Sequence, residues 1–292
     1  MAKDIQHVLV AGNEIGEAPL WVPEEERLYW VDTEASRIFS YRPADGDRES
    51  FVVPLPVTAI LRRRGGGWVL VTKKGLAFWD QVSGTCELIA DPTADNNETC
   101  FNDGAVDRQG RIVAGTMNFV HHIQPDGRVY GMDPSLRLRE LDSGLSVANG
   151  IGFSLDGKTM YVSEQFANRI LAYDYDAQSG RPSNRRVFAQ VPPADGLPDG
   201  IVVDTEDHIW NGRWGGSTIA RYRPDGVLER RWALPVETGT CLAFGGANMD
   251  ELYITTAWYG LDQAGRKAQP YAGDLFVIRP GVQGLVEPRF AG

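Results

Sequence analysis

A short unit recurs along this chain and constrains its fold more than any other feature. It is an oxygen-bearing side chain, usually followed by glycine, that opens onto an apolar run. The clearest copy is Leu197-Pro198-Asp199-Gly200-Ile201-Val202-Val203-Asp204. Asp103-Gly104-Ala105-Val106 and Asn149-Gly150-Ile151-Gly152-Phe153 repeat it, and weaker copies begin at Glu17, Thr58 and Thr240. Successive copies lie 41, 45, 46, 50 and 41 residues apart. Each reads as a tight turn before a buried strand, because Asn-Gly and Asp-Gly are turn formers. Alternating strands separated by polar turns follow each copy, as at residues 27–32 and 37–41. A period of roughly 40 to 50 residues with about four strands per repeat is the signature of a propeller. The expected fold is all-β, a six-bladed β-propeller forming a single domain over residues 1–292.

The strand at residues 7–10 is expected to pair with the last repeat and close the ring, which removes exposed sheet edges. Residues 260–272 read as an insertion between strands of that repeat. With 292 residues, 42% of them hydrophobic, the chain can bury a full core. Its 33 glycines suit many short strands better than helices. A net charge of −10 without a basic stripe argues against a nucleic-acid partner. No apolar run reaches the roughly 18 residues of a membrane span, and no signal peptide is legible, so a cytoplasmic protein is expected. Cys86, Cys100 and Cys241 are odd in number and widely spaced, which indicates neither a disulfide framework nor a zinc site of CxxC type.

In a propeller the innermost strand of each blade runs along the central channel. Residues one repeat apart then stand around one ring. Here those positions are Glu17, Thr58, Asp103, Asn149, Asp199 and Thr240, and every one carries oxygen. Three of the six are expected to hold a metal ion.

The pieces GEAPLW (16–21), RLYWVD (27–32), FNDGAVDRQGR (101–111), AGTM (114–117), NGIGFSLDGKTMYVSE (149–164), LPDGIVVD (197–204) and LPVETGTCLAFGG (234–246) occur in one order along the chain. In that order the chain resembles the SMP-30/gluconolactonase/regucalcin family of six-bladed propellers. The resemblance implies hydrolysis of a sugar lactone and one divalent cation held by Glu17, Asn149 and Asp199. It further implies that Asn102 touches substrate or metal-bound water. Calcium is the first expectation for the cation, with zinc, manganese, magnesium and iron(II) also associated with the fold. Two positions depart from the family pattern. Cys100 stands where sugar lactonases of the family often have Arg, and Asn118, Phe119 and Val120 stand where an acidic residue is common.

Glu17, Asn149 and Asp199 supply only hard oxygen donors and two negative charges, which suits such a cation. Three protein ligands leave positions for water and substrate. The cation would polarise the lactone carbonyl while water attacks, with Asp199 as the general base or as a ligand only. Asp103 reads either as an acceptor that steadies the ligands or as a turn residue. Cys100 and His121 are expected to shape the pocket, with His122 beside them. Arg213 is the cation that would favour an acidic sugar lactone. Trp258, with Trp214, is expected to wall the pocket. The partner is then a small sugar lactone, and the protein a monomer or small homo-oligomer. Two other readings stay open: phosphotriester or ester hydrolysis on the same scaffold, and a calcium-binding propeller without activity.

Overall fold

The computed structural model describes residues 5–292 and is almost entirely antiparallel β-sheet. Strand β1 (Gln6–Leu9) comes first. The first four-stranded sheet is β2 (Gly16–Val22), β3 (Arg27–Asp32), β4 (Arg37–Arg42) and β5 (Asp47–Val52). The second is β6 (Val57–Arg62), β7 (Trp68–Thr72), β8 (Gly75–Trp79) and β9 (Cys86–Ala90). The third is β10 (Thr99–Val106), β11 (Ile112–Asn118), β12 (Gly127–Met132) and β13 (Leu138–Leu145). The fourth is β14 (Ala148–Phe153), β15 (Thr159–Glu164), β16 (Arg169–Asp176) and β17 (Arg181–Gln190).

The remaining strands are β18 (Leu197–Val203), β19 (Ile209–Trp214), β20 (Thr218–Tyr222), β21 (Leu228–Ala233), β22 (Thr238–Gly245), β23 (Glu251–Ala257) and β24 (Leu275–Ile278). They form one eight-stranded sheet together with β1. Only the pair Arg213–Gly239 joins β19 to β22, so this sheet is two four-stranded units in contact. β1 pairs antiparallel with β24, as expected for a strand that completes the last unit. The insertion between β23 and β24 contains a short helix, α1 (Gln263–Ala268), whose N-cap Asp262 accepts from the Gly265 N–H at 2.7 Å.

The first strands of the units, β2, β6, β10, β14, β18 and β22, contact one another in a closed cycle. The apolar cores follow the same cycle, each lying between two neighbouring sheets. Leu20 and Val31 pack with Trp68 and Leu70, and Val71 packs with Phe101 and Ile112. At the point where the cycle closes, Trp21 and Trp30 meet Ala243, Tyr253 and Leu275. Each large apolar side chain buried this way contributes about 1.5–3 kcal/mol before chain entropy is counted. This is an all-β architecture of the β-propeller kind.

The inner strands run from one cavity to another. Their early residues line a space of about 750 Å³, and their later residues line one of about 80 Å³. The smaller space is closed by the segment after β24, which contributes Glu287 and Pro288. That segment is anchored by backbone bonds from Gly284 N–H to Met249, Arg64 N–H to Phe290, and Ala291 N–H to Gly110, and Phe290 is fully buried.

Candidate functional site

Six side chains were expected on turns that precede strands. The structure places all six inside the innermost strands instead, each at or beside a break in ladder register. The breaks fall between Glu17 and Leu20, Val57 and Ala59, Phe101 and Asp103, Asn149 and Ile151, Pro198 and Ile201, and Gly239 and Leu242. A β-bulge leaves backbone groups unpaired and re-aims a side chain, which explains why such bulges cluster at functional sites. Ala18, directly after Glu17, is held at φ 47° as part of this distortion.

The backbone freed at β18 is caught by two neighbours that sequence reasoning missed. The Asn211 amide donates to the Asp199 carbonyl at 2.7 Å and to the Gly200 carbonyl at 3.0 Å. The Ser163 hydroxyl donates to the Asp199 carbonyl at 2.7 Å. The signal for Asn211 was its position as the one amide side chain in a fully buried stretch of β19. The glycines serve close approach. A Cβ on Gly200 would lie 2.1 Å from the Cys241 sulfur, and one on Gly150, at φ 45°, would lie 2.2 Å from the Asp199 carbonyl oxygen. These glycines are where neighbouring inner strands touch.

The ring positions divide into two kinds. Thr58 donates to the Val71 carbonyl at 3.1 Å and Thr240 to the Gly16 carbonyl at 2.5 Å, so both hydroxyls serve the backbone. Glu17, Asp103, Asn149 and Asp199 all line the large cavity, as does Asn102. The Asn149 amide donates to Asp199 Oδ1 at 2.5 Å, while its Oδ1 accepts from the Gly150 N–H at 2.9 Å. Asp199 is 1% exposed, and its second oxygen, Oδ2, has no hydrogen-bond partner.

Electrostatics set this cluster apart. Burial pushes the Glu17 carboxyl well above its ordinary value, and repulsion from Asp199 and Asp103 adds to it. Burial, then Asp103, does the same to Asp199. Burial raises Asp103 to about 6, against hydrogen bonds from the N–H groups of Gly104, Gly150 and Ile151. Three carboxyls thus share one enclosed space. Arg213 offsets this at Asp199 only weakly. A buried charge without a partner is costly. An orphaned carboxylate oxygen among three repelling acids is the environment a hard divalent cation relieves. The Cys241 thiol, hydrogen-bonded to Glu17, borders the same cluster.

Four expected pocket residues do not line the cavity. Cys100 is 1% exposed, and burial pushes its thiol up to about 11, so its neighbour Thr99 faces the cavity instead. His121 is exposed outside the lining, whereas His122 lines the cavity and stacks on Phe166 at 5.4 Å. Arg213 is turned inward: it donates to the Tyr222 hydroxyl at 2.5 Å and to the Gly212 carbonyl at 3.2 Å. It therefore offers no charge to an acidic sugar. Trp258 bonds the Gly12 carbonyl at 3.1 Å under Arg266, while Trp214 and Tyr259 line the cavity. All three cysteines are free. No helix among the described residues is long and apolar enough to cross a membrane.

Comparison with known proteins places this arrangement. A sequence profile of the SMP-30/Gluconolactonase/LRE-like region matches residues 15–258. Regucalcin of Xenopus laevis is 31% identical over 298 aligned positions, covering 99% of this chain and 98% of the relative. A pentonolactonase of Haloferax volcanii is 33% identical, covering 92% of this chain and 91% of the relative. The crystal structure of a calcium-binding protein, regucalcin, from Agrobacterium tumefaciens superposes with a TM-score of 0.93 at 28% identity, covering 98% and 97% of the two chains. The chain belongs to the SMP-30/gluconolactonase/LRE-like family.

Proposed function

We propose that this protein is a single-domain, six-bladed β-propeller that hydrolyses a sugar lactone to the open hydroxy acid with the help of one divalent cation. The observation that carries the reading is the unpartnered Asp199 Oδ2 amid the carboxyls of Glu17 and Asp103 at the floor of an open cavity. Its relatives include a pentonolactonase and a calcium-binding regucalcin, which supports both halves of the proposal.

Glu17, Asn149 and Asp199 would hold the cation, calcium first among the candidates. Asn149 would contribute its amide oxygen, which now accepts from the Gly150 N–H. The chemistry such a cation would supply is Lewis-acid polarisation of the lactone carbonyl. The protein does the rest. Asn211 and Ser163 fix the Asp199 backbone, and so fix where its carboxylate points. Asp199 would take the proton of the attacking water or serve as a ligand only, since a bound cation offsets the rise in proton affinity that burial gives its carboxyl. Asn102, on the cavity wall, orients the substrate.

The test is a panel of five- and six-membered sugar lactones, assayed by acid release with each divalent cation and with chelator, after subtraction of spontaneous hydrolysis. Turnover should require the cation, and Asp199→Ala should lower kcat/KM at least about a hundredfold. Turnover that survives both chelation and Asp199→Ala would sink the metal mechanism. Activity on phosphotriesters, and on no lactone, would replace it with the esterase alternative.

A further inference from the structure

We propose that the ion pair of Glu34 and Lys73 is the specificity device of this cavity and selects neutral, polyhydroxylated lactones over acidic ones. The assignment rests on the lactonase reading above and concerns the sugar, not the cation.

Both residues line the large cavity, and Lys73 Nζ lies 2.8 Å from Glu34 Oε1. Each side chain is about one-third exposed, at 31% and 34%. A partly exposed pair of this kind contributes little to stability, so the fold does not require it. Its supports are rigid nonetheless. Glu34 sits in the turn after β3, where the buried Asp32 carboxylate accepts the N–H groups of Glu34 at 3.2 Å and Ala35 at 3.3 Å. Lys73 sits in the two-residue turn between β7 and β8. There the buried Thr72 hydroxyl donates to the Gly75 carbonyl at 2.8 Å and accepts from the Lys74 N–H at 3.0 Å. Groups held this way lose little freedom when a ligand arrives.

The pair also stands beside the position where the chain departs from its relatives. Lys73 and Glu34 are the two charged groups felt by the buried Cys100 thiol. A cysteine cannot hydrogen-bond a sugar as a cationic side chain does, and Cys100 is turned out of the cavity. The lysines on this wall come from the neighbouring unit: Lys73, already paired with the Glu34 carboxylate, and Lys74 beside it. Three ammonium donors next to a carboxylate acceptor, with no net charge, complement adjacent sugar hydroxyls. They do not complement a free carboxylate, which Glu34 repels and whose Lys73 partner is taken. Arg213, buried against Tyr222, provides no substitute. Lys74, exposed at the same cavity, is the other lysine there, so the assignment requires Lys74→Met to leave the preference between neutral and acidic lactones unchanged.

The experiment compares the full-length parent with Lys73→Met, Lys73→Arg and Glu34→Gln. Substrates are an aldono-1,5-lactone and an aldarolactone, which carries a free carboxylate. Metal affinity and melting temperature serve as readouts independent of turnover. Lys73→Met should raise KM for the aldonolactone about tenfold with kcat nearly unchanged, because it removes binding common to ground and transition state. Lys73→Arg should recover most of that loss. Glu34→Gln should shift the kcat/KM ratio toward the aldarolactone about tenfold, since it frees Lys73 to pair with the carboxylate. Metal affinity and melting temperature should stay at parent values. Unchanged KM and unchanged ratio in an active protein would overturn the assignment alone. A parent inactive on every lactone with every cation would overturn the lactonase reading and this assignment with it.

Discussion

Asp199 and Asp204 lie five residues apart, in and just beyond strand β18, and both are almost fully buried. They have opposite fates. Asp204 Oδ1 accepts the N–H groups of Glu206 at 2.9 Å and His208 at 3.0 Å, and Oδ2 accepts from Trp210 Nε1 and Arg221 Nε, both at 2.8 Å. Every oxygen is used, and a guanidinium balances the charge. Asp199 holds the Asn149 amide on one oxygen and nothing on the other, with acids as neighbours. Asp107 repeats the Asp204 pattern in the third unit, with Gln109 and Arg111 N–H groups, the Arg111 side chain and the Tyr175 hydroxyl around it. Burial of an aspartate therefore says little by itself. The partners decide whether it braces the fold or waits for a ligand.

This contrast can be broken experimentally. Asp204→Ala should destabilise the protein by about 3 kcal/mol in urea or thermal unfolding, because it leaves the Trp210 N–H and the N–H groups of Glu206 and His208 without their acceptor, while Arg221 keeps Glu206 and Glu229. Asp199→Asn should leave metal-free stability unchanged or improved while activity is lost. Equal destabilisation by the two variants would show that Asp199 is a structural acid as well.

A smaller effect separates the two kinds of acid by pH. Asp103 has its carboxyl raised from 3.8 to about 6 by burial. Between those values the folded chain holds a proton that the unfolded chain has released. Its contribution to stability is thus full below about pH 4 and is lost as pH rises through 6. In metal-free protein, Asp103→Asn should remove part of that fall, on the order of 2 kcal/mol, when unfolding is compared at pH 4 and pH 7. A parent and variant with parallel pH profiles would contradict the burial assigned to Asp103.

The smallest effect concerns Cys100. With its thiol at about 11 and its side chain buried, it should resist alkylation in the native protein at pH 8, and Cys100→Ser should keep activity within about threefold. Rapid labelling coupled to inactivation would return it to the cavity wall.

The repeat and its strand grammar were legible because a period of 41 to 50 residues survives sequence drift, and so was the pairing of the first strand with the last unit. The carboxylate cluster followed from the same period. The cavity wall was not legible at single-residue precision. Cys100, His121, Arg213 and Trp258 each stand next to a residue that does line the cavity: Thr99, His122, Trp214 and Tyr259. For Cys100 in β10 and Arg213 in β19, neighbouring side chains along the strand point to opposite faces, so a placement wrong by one residue is wrong by a whole face; His121 and Trp258 lie in loops, where no alternation guides the placement. The bulges compound this, since each shifts the alternation by a residue without leaving a distinctive sequence mark. Glu34 and Lys73 went unnoticed because charged turn residues are ordinarily solvated.

The seam of the ring has a consequence for how the molecule is made. Asp274 receives the Ala11 and Gly12 N–H groups and the His7 ring, across a separation of 267 positions in the last case. β1 leaves the ribosome early, yet its partner β24 exists only once Ile278 has been added. Through nearly all of synthesis the nascent chain carries two bare sheet edges that must find each other rather than a stranger. The entropy of that long closure grows only logarithmically with separation, so exposure time, not distance, is the hazard. A change within residues 6–12 is then a change to the last step of assembly, although these residues are made well before β24.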